Sequence, residues 1–203
     1  MSVVALLKSA VIFDLDGTLT KPYLDFYAIR AEIGIASGPI LEAVATMDDG
    51  GRRRAEAILL RHERDAAHNA TLHDGAVEVV AACREMGRPV AILTRNTRPL
   101  VQVVLDKFGI VVDTMRTRED GAIKPSAEPV LSICRELGAD PCKSWMVGDY
   151  LFDILSGAAA GARTVLMAGE GPLPEFAHKA DHIIRRLAEL LPLVRAAGNT
   201  TDW

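Results

Sequence analysis

Val11-Ile12-Phe13-Asp14-Leu15-Asp16-Gly17-Thr18 runs from three β-prone apolar residues straight into two carboxylates. Alternate residues of an extended chain leave on the same side, at a rise of about 3.3 Å per residue, so Asp14 and Asp16 converge on one space at the strand's end. Unpaired carboxylates are costly to bury there, which implies a cation or a chemical role. Gly17 permits a turn that a Cβ would hinder. A single aspartate before Gly-Thr reads as a helix N-terminal cap, and two on one strand end weaken that reading. A cap needs one short acceptor, whereas aspartyl catalysis on a metal needs one carboxylate at the metal and a second to move protons.

Further apolar runs resemble this strand: Val90-Ala91-Ile92-Leu93, Ile110-Val111-Val112, Trp145-Met146-Val147, Thr164-Val165-Leu166-Met167 and His182-Ile183-Ile184. They read as buried parallel strands. Between them, Ala76 to Met86, Arg98 to Phe108, Ala127 to Leu137 and Leu151 to Ala160 repeat apolar residues at helical spacing. Each is followed by a glycine (Gly87, Gly109, Gly138, Gly161) where a left-handed C-terminal residue is wanted. This alternation predicts a doubly wound, Rossmann-like α/β fold with a parallel sheet, its ligand crevice at the carboxyl ends of the strands. The chain from Lys21 to Leu72 interrupts the rhythm and is too long for plain loop. Phe26, Ile29 and Ile33, then Leu41 and Val44, then Ala55, Ile58, Leu59 and His62 carry helical spacing, broken over Gly34 to Pro39 and Asp48 to Gly51. The expected organisation is a catalytic core of 1–20 and 73–198, a small all-helical cap insertion of 21–72 and a frayed tail of 199–203.

A second acidic pair follows the fourth strand in Gly148-Asp149-Tyr150-Leu151-Phe152-Asp153, where a spacing of four puts both carboxylates on one helical face. Acidic residues also favour a helix N-terminus for purely structural reasons. Oxygen ligands without nearby histidine or cysteine select a hard cation, and Mg2+ suits a site that also takes a substrate phosphate. Thr94-Arg95-Asn96-Thr97 follows the second strand and offers a hydroxyl, a guanidinium and backbone donors at a helix start, which suits an anion; Thr94 read alone is equally a cap. Lys124 stands before a helix that Ser126 can cap, and its ammonium would balance a ring of carboxylates and a phosphate.

The chain has 203 residues, 49% of them apolar, with 23 basic against 27 acidic side chains, a net charge of −4. This suits a globular protein with a sizeable core and argues against a nucleic-acid partner. Arg52-Arg53-Arg54 is the exception, read as a solvated helix face or, less simply, as an anion contact. Cys83, Cys134 and Cys142 form no Cys-x-x-Cys and read as buried small hydrophobes in a reducing cytosol. The apolar run within Met1 to Lys8 lacks a basic start and a cleavage site, and no apolar run is long enough to span a membrane; the expected location is cytoplasmic. His62 and His68 lie on different helix faces and form no His-Glu-x-x-His; His178, His182 and His73 receive no chemical role.

Taken together, Asp14-Leu15-Asp16-Gly17-Thr18-Leu19, Thr94, Lys124 and Gly148-Asp149 to Asp153 resemble, in order and spacing, the four motifs of the haloacid dehalogenase superfamily. The subfamily it looks like carries a helical cap between the first two motifs, as in phosphoglycolate phosphatase. The resemblance implies a strand order of 3-2-1-4-5 and a phosphatase working through an aspartyl-phosphate on a small phosphorylated metabolite. By the same resemblance Asp14 is the nucleophile, Asp16 the general acid and base, and Thr94 and Lys124 phosphate ligands; Arg95 is a further candidate for binding the substrate phosphate. Mg2+ would be held by Asp14, the Asp16 carbonyl and Asp149, with Asp153 an outer ligand or a partner of Lys124. A phosphomutase on the same fold, or a phosphate- or partner-binding domain without turnover, are the alternatives; Asp16 argues against halide removal. The insert is expected to close over the crevice, with Tyr23, Tyr27, Arg30 and the arginine cluster as candidate specificity residues, in a monomer or weak dimer.

Overall fold

A computed structural model describes residues 8–199, so Met1 to Leu7 and the end of the expected frayed tail, 200–203, lie outside the described residues. The chain divides into two compact units, one of Tyr23–Ala70 and one formed by the chain up to Pro22 together with the chain from Thr71 onward. In chain order the elements are β1 (Val11–Phe13), α1 (Phe26–Ile33), α2 (Ile40–Ala45), α3 (Asp49–Asn69), α4 (Ala76–Glu85), β2 (Val90–Leu93) and α5 (Arg98–Phe108). There follow β3 (Thr114–Arg116), α6 (Glu128–Leu137), β4 (Trp145–Gly148), α7 (Leu151–Ala159), β5 (Arg163–Met167), β6 (His182–Ile184) and α8 (Leu190–Asn199).

The larger unit is a parallel sheet in the order β3-β2-β1-β4-β5-β6, the implied order with the strand expected at His182–Ile184 added beside β5. β1, β2 and β4 are buried along their whole length, as strands covered on both faces must be. Val130, Ile133 and Cys134 of α6 pack in one apolar cluster with Ile12, Leu93 and Met146. The register pairs Phe13 with Ile92 on one side and Val147 on the other, so the residues that follow these three strands emerge at one edge. The four glycines expected to end helices all adopt positive φ, and α8 carries helical backbone through Asn199, past the expected start of the tail. No helix among the described residues is long and apolar enough to cross a membrane.

The third strand differs from its expected position at Ile110 to Val112. Ile110 instead closes the end of α5, its amide bonded to the Leu105 carbonyl, and Val111 is exposed. Asp113 then takes the Val90 amide on its side chain at 2.8 Å and donates its own amide to the Val90 carbonyl, so pairing with β2 starts only at Thr114. β3 is an edge strand and only half-buried, so its Thr-Met-Arg sequence carries little apolar signal.

In the smaller unit, Ile29, Ile40, Val44, Ala55 and Leu59 from all three helices form one apolar cluster. The break expected over Asp48 to Gly51 instead falls at 46–48, and Asp48 caps α3 by accepting the Gly51 amide at 2.7 Å. Gly50 and Gly51 sit in the first turn, whose amides have no intrahelical acceptor to satisfy. Arg53 and Arg54 are exposed on α3, as a solvated face requires, while Arg52 turns back onto the Ala45 and Met47 carbonyls. Cys83 and Cys134 are buried as expected, whereas Cys142 is exposed, because it lies in a surface turn that Asp140 caps.

Candidate active site

Three strand ends supply the groups. Asp14 continues β1, Thr94 continues β2 and Asp149 follows β4; the Asp14 amide donates to the Val147 carbonyl at 2.9 Å, which extends the sheet to the nucleophile candidate itself. Lys124 comes from the loop before α6, at a cis peptide to Pro125, and Asp153 from the first turn of α7. The chain turns sharply after Asp16: the Leu15 carbonyl accepts from the Thr18, Leu19 and Thr20 amides and from the Thr20 hydroxyl. Gly17 enters this turn at φ +92°, and a Cβ there would collide with the Asp149 carboxylate. A Cβ at Gly148 would strike Asp153 in the same way. Both glycines are therefore required by the close approach of the carboxylates.

Lys124 is 3% exposed and donates to Asp14 Oδ1 at 2.7 Å and to Asp153 Oδ1 at 2.6 Å. The second oxygen of Asp153 accepts the Tyr150 amide at 3.0 Å, so this aspartate joins the lysine to the start of α7. Burial opposes the charge of Lys124, but Asp14 and Asp153 outweigh it and hold the ammonium above the ordinary lysine range. Burial raises the proton affinity of Asp14 well above that of a free aspartate; Lys124 pulls it back, and Asp153, Asp149 and Asp16 push it further up. Asp149 is pushed up to about 6 by burial and then by Asp153, and its Oδ1 accepts the Thr18 hydroxyl at 3.2 Å.

Ligand oxygens of Asp14, Asp149 and Asp153 lie within 4.8 Å of one another. Three carboxylates against one ammonium leave an excess of negative charge in a buried space, and the donors are all oxygen. This set fits a hard divalent cation such as Mg2+. With both Asp153 oxygens already engaged, Asp14 and Asp149 have the freer donors.

Asp16 is half-buried, and burial raises its proton affinity above that of an ordinary carboxylate, which favours the protonated form a general acid needs. Its Oδ2 accepts from Asn96 Nδ2 at 3.2 Å, while Asn96 Oδ1 accepts the Thr97 amide at 2.7 Å and fixes the amide orientation. Sequence reasoning gave Asn96 no role of its own; its place two residues after the strand-ending Thr94 was the available signal. Thr94 is buried and its hydroxyl accepts the Asn96 amide at 3.0 Å. Arg95 donates to the Lys124 carbonyl at 3.0 Å, and its guanidinium lies 4.8 Å from the centre of the Phe152 ring, bracing the lysine loop against α7.

The other candidates divide by unit. Tyr23, whose hydroxyl donates to Asp65 at 2.9 Å, and Tyr27 are both exposed in the smaller unit, and Arg30 lies in the last turn of α1. In that unit a His62 ring nitrogen is 2.9 Å from Glu32. His178 bonds the Glu175 carbonyl and His182 stacks on Trp145, so neither belongs to the carboxylate cluster.

A family model described as haloacid dehalogenase-like hydrolase matches residues 8–161. Among characterised proteins, an N-acetylmuramic acid 6-phosphate phosphatase of Pseudomonas aeruginosa is 32% identical, over 76% of this chain and 79% of its own length. The pyrophosphatase PpaX of Halalkalibacterium halodurans is 28% identical, over 92% of this chain and 96% of its own. In three dimensions, the crystal structure of a predicted phosphoglycolate phosphatase from Haemophilus somnus superposes with a TM-score of 0.73 at 20% identity. That superposition covers 93% of this chain and 99% of the other and shows a shared fold.

Proposed function

The chain belongs to the haloacid dehalogenase-like hydrolases and is a phosphatase among them, and from that premise we propose that it hydrolyses a small phosphorylated metabolite through a phosphoryl group carried on Asp14. The observation that carries the reading is Lys124 bonded at once to Asp14 and Asp153, with Asp149 completing an oxygen-only cluster beside them. Asp14 attacks phosphorus, and the ester oxygen leaves with the proton of Asp16. Asp16, now ionised, takes a proton from water as it attacks the phosphoaspartate, which releases phosphate and restores Asp14. Lys124 offsets charge on Asp14 and on the phosphoryl oxygens, Thr94 donates its hydroxyl to one of them, and Asn96 keeps Asp16 aimed. Arg95 supports this arrangement through the Lys124 backbone.

Asp14, the Asp16 carbonyl and Asp149 would hold Mg2+, with Asp153 reaching it indirectly or serving only Lys124. The ion, when bound, would reduce the repulsion between the attacking carboxylate and the phosphate. Phosphate release from a broad panel of phosphate esters and pyrophosphate, with and without Mg2+, tests the proposal. Metal-dependent turnover is expected, with Asp14→Asn slowing it by about 10⁴-fold or more. Absence of release from every ester by the wild-type protein, or an Asp14→Asn variant as active as wild type, would refute it.

A further inference from the structure

Lys124 sits in a turn closed by the Ser126 amide on the Ile123 carbonyl at 2.9 Å. Pro125 between them has no amide hydrogen to give, and the bonds that tie this turn to α7 fall on its carbonyls. Ser156 of α7, wholly buried, donates its hydroxyl to the Ser126 carbonyl at 2.6 Å. The Lys124 carbonyl accepts from Arg95 at 3.0 Å, and the Arg95 guanidinium lies 4.8 Å from the centre of the Phe152 ring, where it is attracted to the ring face. Phe152 is itself steadied by Tyr150, edge-on with ring centres 5.2 Å apart.

Phe152, Asp153 and Ser156 are neighbours on one side of α7, since residues three and four apart share a helix face. The helix therefore takes the lysine at both ends. Asp153 bonds the ammonium at 2.6 Å, while Phe152 and Ser156 hold the backbone that carries it. A lysine head rides on a flexible four-carbon stem, so its reach depends on where that backbone is held, and small displacements of a group that binds the reacting phosphoryl are costly. We propose that Phe152 and Ser156 are positioning residues for the reaction: through Arg95 and through the Ser126 carbonyl they fix the Lys124 backbone, and with it the place of the ammonium at the phosphoryl group. This role rests on the reading of Lys124 as a ligand of that group, and it makes Arg95 the link from Phe152 to Lys124 rather than a contact of the substrate.

The experiment measures kcat, KM and the Ki of orthovanadate, a phosphoryl-sized oxyanion without a leaving group, on the ester that the wild-type protein turns over fastest. Phe152→Leu, which keeps an apolar side chain and removes the ring, and Ser156→Ala are each expected to raise KM and Ki together by about threefold or more. Phe152→Tyr, which retains the ring face, is expected to stay within about twofold of wild type. KM and Ki do not depend on the fraction of folded protein, so a purely structural loss would lower only the apparent kcat. In an Arg95→Met background Phe152→Leu is expected to raise Ki by less than about twofold more, because the guanidinium that transmits its effect is gone. Wild-type KM and Ki in Phe152→Leu or Ser156→Ala would overturn the role of that residue, and fully multiplying effects of Phe152→Leu and Arg95→Met would overturn the route through Arg95. Wild-type protein that hydrolyses no ester would overturn the phosphatase reading, and this role with it.

Discussion

Lys124 holds two buried carboxylates apart from their mutual repulsion, and its removal should expose that role. Lys124→Met would leave Asp14 and Asp153 without their common partner, at an expected cost of about 3–5 kcal/mol in denaturant unfolding. The loss should be smaller at pH 5 than at pH 7.5, because Asp14, whose proton affinity burial has already raised, can take up a proton as the pH falls. A near-neutral substitution at both pH values would mean the pair is weaker than its geometry implies. The candidate nucleophile, the candidate acid, the lysine and the second acidic pair were legible because each is a charged residue at the end of an apolar run or the start of a helix. Asn96 was not, because its importance lies in what it touches. Asn96 lies in the loop after β2 and reaches Asp16 from a place 80 residues away in the chain.

Parallel strands in register bring Asp14, Thr94 and Asp149 to one edge although they lie far apart in the chain. The strands with fully apolar sequences could be read directly, and so could the helices ending in left-handed glycine. β3 could not, since its position is set by Asp113 bonding to Val90 and its residues are those of an edge. The start of α3 was hidden for a related reason: glycines usually mark a break, but here Asp48 supplies the cap that makes them tolerable. Asp48→Ala should therefore lower the unfolding free energy by about 1 kcal/mol and reduce protection of the Gly51 amide in hydrogen exchange. Unchanged exchange at Gly51 would show that the cap does not hold that turn.

If the carboxylates around Lys124 hold a cation, the stability of the whole molecule would report its binding. Asp149, with its pKa pushed up to about 6, contributes stability that is present below the ordinary carboxylate range and is lost as pH rises through about 6. A cation that binds the ionised form reverses that loss, so the gain in melting temperature on adding Mg2+ should grow between pH 5 and pH 7.5. At 100 times the dissociation constant the stabilisation is about 2.7 kcal/mol, or roughly 5–10 °C for a chain of this size. A shift independent of pH, or none at pH 7.5, would count against Mg2+ at these carboxylates. The position of β1 at the middle of the sheet has a different consequence during synthesis. Its two neighbours begin at Val90 and Trp145, so a nascent chain carries Val11, Ile12 and Phe13 without the second partner until most of the protein has emerged from the ribosome. At about 5–20 residues per second this interval is on the order of ten seconds. Tyr23–Ala70 is fully synthesised well before the interval ends, while the strand that runs into Asp14 waits for its flank.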